Sequence, residues 1–152
     1  GSKIEDKAGA TEALSSLADY ILVGDLVTKE IKENGYKLKN EDKFVFSLGY
    51  DHNLDLNEET IKLFKEKIAK AKTIFWAGPL GKIEEEKYQK GSKEIAKAII
   101  ESKAFSVVGG GDTVEFLNKV NLLDGFSHVS TGGGAMLDFL AGKKMPGIDA
   151  LK

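Results

Sequence analysis

The sequence predicts an α/β protein: an open parallel sheet with helices on both faces. Three observations carry that expectation. Short apolar runs alternate with stretches of helical period along the chain, the pattern of right-handed βαβ crossovers. Glycine turns close the carboxyl ends of those runs, at Gly24, Gly49, Gly78, Gly109 to Gly111 and Gly132 to Gly134, and in open sheets of this kind ligands bind at that edge. Two of the turns share one construction, an apolar run, three glycines and a helix, which would set them side by side on the sheet.

The elements follow in order. Residues 1–7 are polar and charged, and 8–18 read as a helix of small and apolar residues. Tyr20-Ile21-Leu22-Val23 is a buried strand closed by Gly24. An amphipathic helix spans 26–33, with Asp25 at its N-cap and Asn34-Gly35 as its stop. A polar connection over 37–43 leads to the strand Phe44-Val45-Phe46-Ser47-Leu48. The loop 49–57 holds Asp51, His52 and Asp55, with His52 read as a surface residue rather than a ligand. Asn57 caps a long helix over 58–72, with Ile61, Phe64 and Ile68 on its apolar face. Thr73-Ile74-Phe75-Trp76 is a strand ending in the sharp turn Ala77-Gly78-Pro79-Leu80-Gly81. Glu84, Glu85 and Glu86 open the next helix at its positive dipole end, and it continues through Ile95, Ala98 and Ile99 to Lys103. Phe75, Trp76 and Phe105 read as core residues on buried strands.

The last third is the most informative. Ser106-Val107-Val108 runs into Gly109-Gly110-Gly111-Asp112-Thr113 and a helix over 114–120. Ser127 to Thr131 then repeats the pattern into Gly132-Gly133-Gly134 and a helix over 135–141, before a tail with Pro146-Gly147. Glycines let the backbone turn with positive φ and approach an anion closely. The opening N–H groups of a helix have no partner within it, and its dipole favours negative charge there. Asp112 could cap its helix or hold a divalent ion that bridges phosphates. The layout predicts a nucleotide or phosphate ligand.

Composition bounds the alternatives. At 152 residues the chain suits one domain over 1–152 with a real core. A net charge of −2 offers no basic face for nucleic acid. The absence of cysteine excludes disulfides and thiolate metal sites. No run has the apolar length of a membrane span or a signal peptide, so neither a membrane partner nor export is expected, and a cytoplasmic setting is. No Gly-x4-Gly-Lys-Ser/Thr loop stands between a strand and a helix, neither triple-glycine turn continues as Gly-x-Gly-x-x-Gly, and no Gly-x-Ser-x-Gly elbow is present. P-loop NTPase, dinucleotide-dependent and hydrolase chemistries therefore have little support.

Gly1-Ser2-Lys3-Ile4-Glu5-Asp6-Lys7, Trp76-Ala77-Gly78-Pro79-Leu80-Gly81 with Glu84, Val108 to Thr113, Ser127 to Ala135, and the closing stretch from Leu140 to Leu151 together resemble the C-terminal, nucleotide-binding domain of phosphoglycerate kinase. They come in that family's order and cover nearly the whole chain. The resemblance implies a Rossmann-like three-layer lobe with the N-terminal, phosphoglycerate-binding domain absent. It also implies reversible phosphoryl transfer between 1,3-bisphosphoglycerate and ADP, giving 3-phosphoglycerate and Mg-ATP, in glycolysis. The cofactors so implied are ATP/ADP and Mg²⁺. Lys3, Gly110 and Gly133 would take catalytic places, with Lys3 and Lys7 neutralising the phosphates and the moving group. Asp112 would hold Mg²⁺, Glu84 the ribose hydroxyls, and Gly109, Gly110, Gly111 and Thr113 the phosphate oxygens. The amides of Gly132, Gly133 and Gly134 would cradle the group in flight.

The chain also departs from the family pattern. Asp25-Leu26 stands where the family has glycines lining the adenine pocket, Ala77 replaces an asparagine, the region between Gly35 and Tyr50 is shorter, and the strand leading into Gly1, central in the family's sheet, is missing. The expectation is a lobe that binds nucleotide weakly, turns over nothing alone, and can self-associate through an incomplete sheet. 1,3-Bisphosphoglycerate or 3-phosphoglycerate would be a partner only beside an N-terminal domain. The alternative, motivated by Asp25 and Ala77, is a degenerate non-catalytic module that binds anions without recognising a base.

Overall fold

The computed structural model describes residues 14–49 and 54–151. Strands and helices alternate in the order β1 (Ile21–Val23), α1 (Asp25–Asn34), β2 (Phe44–Phe46), α2 (Glu58–Ile68), β3 (Thr73–Ala77), α3 (Lys90–Ser102), β4 (Phe105–Gly109), α4 (Gly111–Lys119), β5 (His128–Ser130), α5 (Gly133–Leu140) and α6 (Pro146–Asp149). Among the described residues every pairing of named strands is parallel, as the alternation predicts. The sheet comes in two parts: β1 pairs with β2, and β4 sits between β3 and β5. The two parts adjoin where the chain leaves the strands, since a Cβ built on Gly24 would come 3.0 Å from Leu80 Cδ2.

β4 is the centre of the larger part. Ser106, Val107, Val108 and Gly109 are all buried, which explains a continuous rather than alternating apolar run. Its start is locked to β5 by a reciprocal pair: Ser106 N donates to Ser127 Oγ at 3.0 Å and Ser127 N to Ser106 Oγ at 3.2 Å. One core joins Ile61, Phe64 and Ile68 of α2, Trp76 of β3, Ile95 and Ile99 of α3, Val108 of β4, and Phe116 and Leu117 of α4. Leu22 and Val45 pack against it from the smaller part, which keeps a cluster of its own in Val23, Ile31 and Phe44.

Local chemistry sets the boundaries. Asn57 Oδ1 accepts from Thr60 N at 2.9 Å, the N-cap predicted for α2. Gly35 closes α1 at φ 63°. The apolar period predicts a helix to residue 72, but α2 ends at Ile68, where Lys70 N and Ala71 N bond back only three residues, the tightened last turn of a fraying helix. The single helix predicted from Glu84 to Lys103 is two pieces, a 3₁₀ turn over Glu86–Tyr88 and then α3. The break is held by side chains: Gln89 Nε2 donates to Ile83 O at 2.7 Å, and the Asp55 carboxylate accepts from Gly91 N at 3.0 and 3.1 Å.

Trp76 is buried, but Phe75 is 47% and Phe105 56% exposed. Successive side chains on a strand face opposite ways, so the side of β3 that buries Trp76 turns Phe75 outward. Of the predicted first helix, residues 14–17 are described and helical; Asp51 and His52 lie outside the described residues. Among the described residues no helix is long and apolar enough to cross a membrane.

Candidate phosphate-binding site

β4 passes straight into α4 through Gly110, whose φ of 101° and ψ of 128° suit glycine. The first bond of α4 runs from Val114 N to Gly110 O at 2.9 Å, so the amides of Gly111, Asp112 and Thr113 have no acceptor in the helix. α5 begins the same way, with Met136 N donating to Gly132 O at 2.8 Å, which frees the amides of Gly133, Gly134 and Ala135. Neither helix has a side-chain N-cap. Both starts present bare donors with a positive dipole end behind them.

The two starts touch. A Cβ built on Gly133 would lie 2.6 Å from Gly110 Cα and 2.7 Å from Gly110 N, so backbone meets backbone and no side chain fits between. Gly109 is in register with Ser130, which brings the two turns level. Gly78, at φ 94°, completes the rim: its amide donates to Thr113 Oγ1 at 3.1 Å, and its carbonyl accepts from Trp76 Nε1 at 2.8 Å. Three turns from three successive strands thus meet at one place.

Asp112 stands on this rim, and Glu84 on the loop that leads away from Gly78. Asp112 is exposed on the first turn of α4. Mg²⁺ takes one or two carboxylates and completes its shell with phosphate oxygens and water; a single exposed carboxylate beside two amide cradles fits that demand. Among the described residues no three His, Cys, Asp or Glu side chains gather as a metal cage. Glu84 is exposed on the loop after β3, and that loop is braced by Leu80 N donating to Ser92 Oγ at 2.9 Å and Lys82 N to Leu54 O at 2.7 Å. A groove of about 510 Å³ runs from Gly110 and Gly111 past Val114 and Leu123 to Ser130 and Thr131.

At the other end of the rim, Asp25 differs from its predicted place. Gly24 is the N-cap of α1 and Asp25 its first residue, because the strand gives out at Val23 and the extended residue after it is the glycine. Asp25 is only 9% exposed, and its carboxylate oxygens are buried with no close hydrogen-bond partner, the Ser47 hydroxyl being the side chain that acts on them as a donor. Burial, more than any other influence, pushes its carboxyl above the ordinary range; the nearby Ser47 hydroxyl offsets part of this, and the Asp55 charge adds to it. Ser47 Oγ itself donates to Thr28 Oγ1 at 3.1 Å. Burial also raises the Asp55 carboxyl, against the amides of Gly91, Leu56 and Lys90 and the Lys90 charge.

The structure therefore brings Gly109, Gly110, Gly111, Asp112 and Thr113 together with Gly132, Gly133 and Gly134, and places Glu84 on the neighbouring loop. Lys3 and Lys7 lie outside the described residues. The brace from Thr113 to Gly78 is not legible in the sequence: with its buried hydroxyl engaged there, Thr113 offers an anion its backbone amide. Asp55 as an anchor of α3 is equally hidden. The one local signal is Gly91, where a Cβ would come 2.4 Å from Asp55 Oδ1.

Comparison with known proteins bears on the same residues. The sequence profile of the phosphoglycerate kinase family matches residues 25–143. Phosphoglycerate kinase of Mycoplasmoides gallisepticum is 38% identical over 202 aligned positions, which take in 100% of this chain and 49% of that protein. The enzyme of Dictyoglomus turgidum is 41% identical over 156 positions, covering 97% and 39%. Among solved structures, phosphoglycerate kinase from Coxiella burnetii superimposes with a TM-score of 0.84 at 30% identity, covering 100% of this chain and 51% of its own. That from Pyrococcus horikoshii gives 0.84 at 27%, covering 99% and 50%. The chain spans about half the length of these relatives or less.

Proposed function

The chain belongs to the phosphoglycerate kinase family, and from that premise we propose that it forms the nucleotide-binding lobe of such a kinase, holding Mg-ADP or Mg-ATP in a cytoplasmic, glycolytic setting. The observation that carries this reading is the contact of Gly133 with Gly110, which sets two uncapped helix starts against one another. Amides of α4 take the nucleotide's phosphate oxygens. Those of α5 face the phosphoryl group that passes between the carboxyl oxygen of 1,3-bisphosphoglycerate and a terminal oxygen of ADP. Asp112 holds the metal, which when bound neutralises phosphate charge, and Glu84 takes ribose hydroxyls. Lys3 and Lys7 neutralise the phosphates from the chain's opening stretch. Phosphoryl transfer depends on positioning and electrostatic stabilisation more than on covalent chemistry of the protein, and fixed amides supply that positioning. Since the chain spans half of its relatives or less, we expect this stretch by itself to bind and not to turn over.

The test is a calorimetric titration of Mg-ADP into the chain, repeated with Asp112→Ala and repeated with ADP in excess EDTA. Saturable Mg-ADP binding that weakens about tenfold in the variant, with the metal-free affinities alike, is the expected result. An unchanged Mg-ADP affinity would remove Asp112 from the site. The buried Asp25 carboxylate, with no close hydrogen-bond partner, favours a second reading, an anion-binding module without base recognition. It predicts equal affinity for Mg-ADP and Mg-pyrophosphate.

A further inference from the structure

Glu84, to which the nucleotide reading gives the ribose hydroxyls, is exposed on the loop after β3, and an exposed glutamate ordinarily samples many orientations. The backbone beneath this one is held. A peptide unit is planar, so the Ile83 carbonyl shares a plane with the N–H and Cα of Glu84, and the Glu85 N–H shares a plane with the Cα and carbonyl of Glu84. Each plane has its tie: Gln89 Nε2 donates to Ile83 O at 2.7 Å, and Glu85 N donates to Lys82 O at 3.1 Å. The Cα–Cβ direction of Glu84 is thereby set from both sides. Its neighbours leave the carboxylate available. Lys82 and Lys87 both pair with Glu85, at 2.5 and 3.2 Å, and among the described residues Glu84 has no ion pair.

Gln89 is committed to this bond. It stands at the N-cap of α3 but makes no side-chain cap there; the Asp55 carboxylate takes the Gly91 amide instead. Gln89 is only 5% exposed, and only the amino half of its amide can face a carbonyl oxygen. The loop it reaches into is tight, since a Cβ built on Gly81 would come 2.5 Å from Tyr88 O. The other ties of that loop, Leu80 N to Ser92 Oγ and Lys82 N to Leu54 O, hold residues that precede Ile83. Gln89 is the side chain that reaches the peptide leading into Glu84.

Resting on the nucleotide reading above, we propose that Gln89 is a positioning residue that aims the Glu84 carboxylate at the ribose. A carboxylate accepts from two neighbouring hydroxyls at once. With Gln89 in place, Glu84 takes them without first ordering its own backbone. Without Gln89 the Ile83 carbonyl loses its donor, the peptide ahead of Glu84 is released, and binding of ribose has to restore that order at an entropic cost. The phosphates rest on amides of α4 and α5, which Gln89 does not touch.

Calorimetric titrations of Mg-ADP, Mg-dADP (whose sugar lacks a hydroxyl) and Mg-pyrophosphate test this, in the whole chain and in Gln89→Met, which keeps the length and loses the donor. The unaltered chain is expected to bind ADP roughly tenfold tighter than dADP, and Glu84→Ala to remove that preference. Gln89→Met should reduce it to about twofold or less while binding pyrophosphate as the unaltered chain does. Gln89→Asn keeps the amide but stops a methylene short of Ile83; it should behave alike, and it carries the test if Gln89→Met does not fold by circular dichroism. A purely structural Gln89 would lower the thermal midpoint and leave the ratio of the two nucleotides as it was, and that result overturns the proposal. Loss of pyrophosphate binding in both variants overturns it too, since Gln89 would then support the whole rim. If the unaltered chain binds pyrophosphate but does not distinguish ADP from dADP, the ribose role of Glu84 falls and this inference with it, while the phosphate site stands. Failure of all three ligands to bind the folded chain overturns the nucleotide reading itself.

Discussion

The two ends of the rim are built on different terms. In the larger part β3 and β4 run five residues each, β4 is buried on both faces, and the turns are tied by Thr113, Trp76 and Ser92. Around β1 and β2 the strands are three residues long, their own cluster holds three buried side chains, and a buried carboxylate has no close hydrogen-bond partner. Amides can hold an anion only if they cannot relax, and the end proposed to hold phosphate is fixed by backbone contact. The smaller part instead buries the Asp25 carboxyl, at the expense of stability.

The sharpest contrast is in the cores. Phe64 is fully buried in the large cluster, and Phe64→Ala should cost about 3–5 kcal/mol in urea denaturation. Phe44, in the smaller cluster, has fewer neighbours to strand when truncated, so Phe44→Ala should cost less and leave Mg-pyrophosphate binding in place. Equal losses in both variants would erase the distinction between the halves.

Next in size is Gly133→Ala, whose new methyl collides with Gly110. Overpacking of this kind costs about 1–3 kcal/mol, and the displaced amides should abolish measurable binding of Mg-ADP by calorimetry. Gly134 has nothing within 4 Å of a built Cβ, so Gly134→Ala should bind as the unaltered chain does. If both variants bind equally, the approach of the two helix starts is not what makes the site. Smaller again is Thr113→Val, which leaves the Gly78 amide without its acceptor. Gly78 is half-buried and water can replace part of the bond, so a loss of about 1 kcal/mol is expected by thermal unfolding, with Thr113→Ser close to the parent.

What was legible in the sequence follows the same division. The β4 and β5 units announce themselves because glycine suits the φ of 101° at Gly110 and alone fits under the backbone contact at Gly133, and three in a row after an apolar run point to such a turn directly. Parallel pairing and the Asn57 cap were legible for similarly local reasons. The exposure of Phe75 was not, since a strand's residue types do not tell which face is covered. Nor was the split of the predicted helix at Gln89, which depends on Ile83 and Asp55 from elsewhere in the chain. Asp25 shows the limit best. An aspartate after a strand and a glycine reads as a cap, and only the fold reveals that it caps nothing.

The smallest expected effect is also the one whose sign is most telling. Folding raises the Asp25 carboxyl above its ordinary value, chiefly by burial, so the folded chain favours the protonated form. Stability from this group is therefore complete below the unfolded pKa of about 3.9 and declines as pH rises from there through the folded value. Asp25→Asn removes the charge and keeps the shape. It should raise the thermal midpoint at pH 7, with the gain shrinking as pH is lowered and gone once both forms of the chain carry a neutral group below about pH 4. A gain that is the same at pH 4 and pH 7 would mean that charge burial is not its source. Were Asp25→Asn less stable than the parent at pH 7, the carboxylate would be a structural partner in the fold, and the contrast between the two parts of the sheet would lose one of its terms.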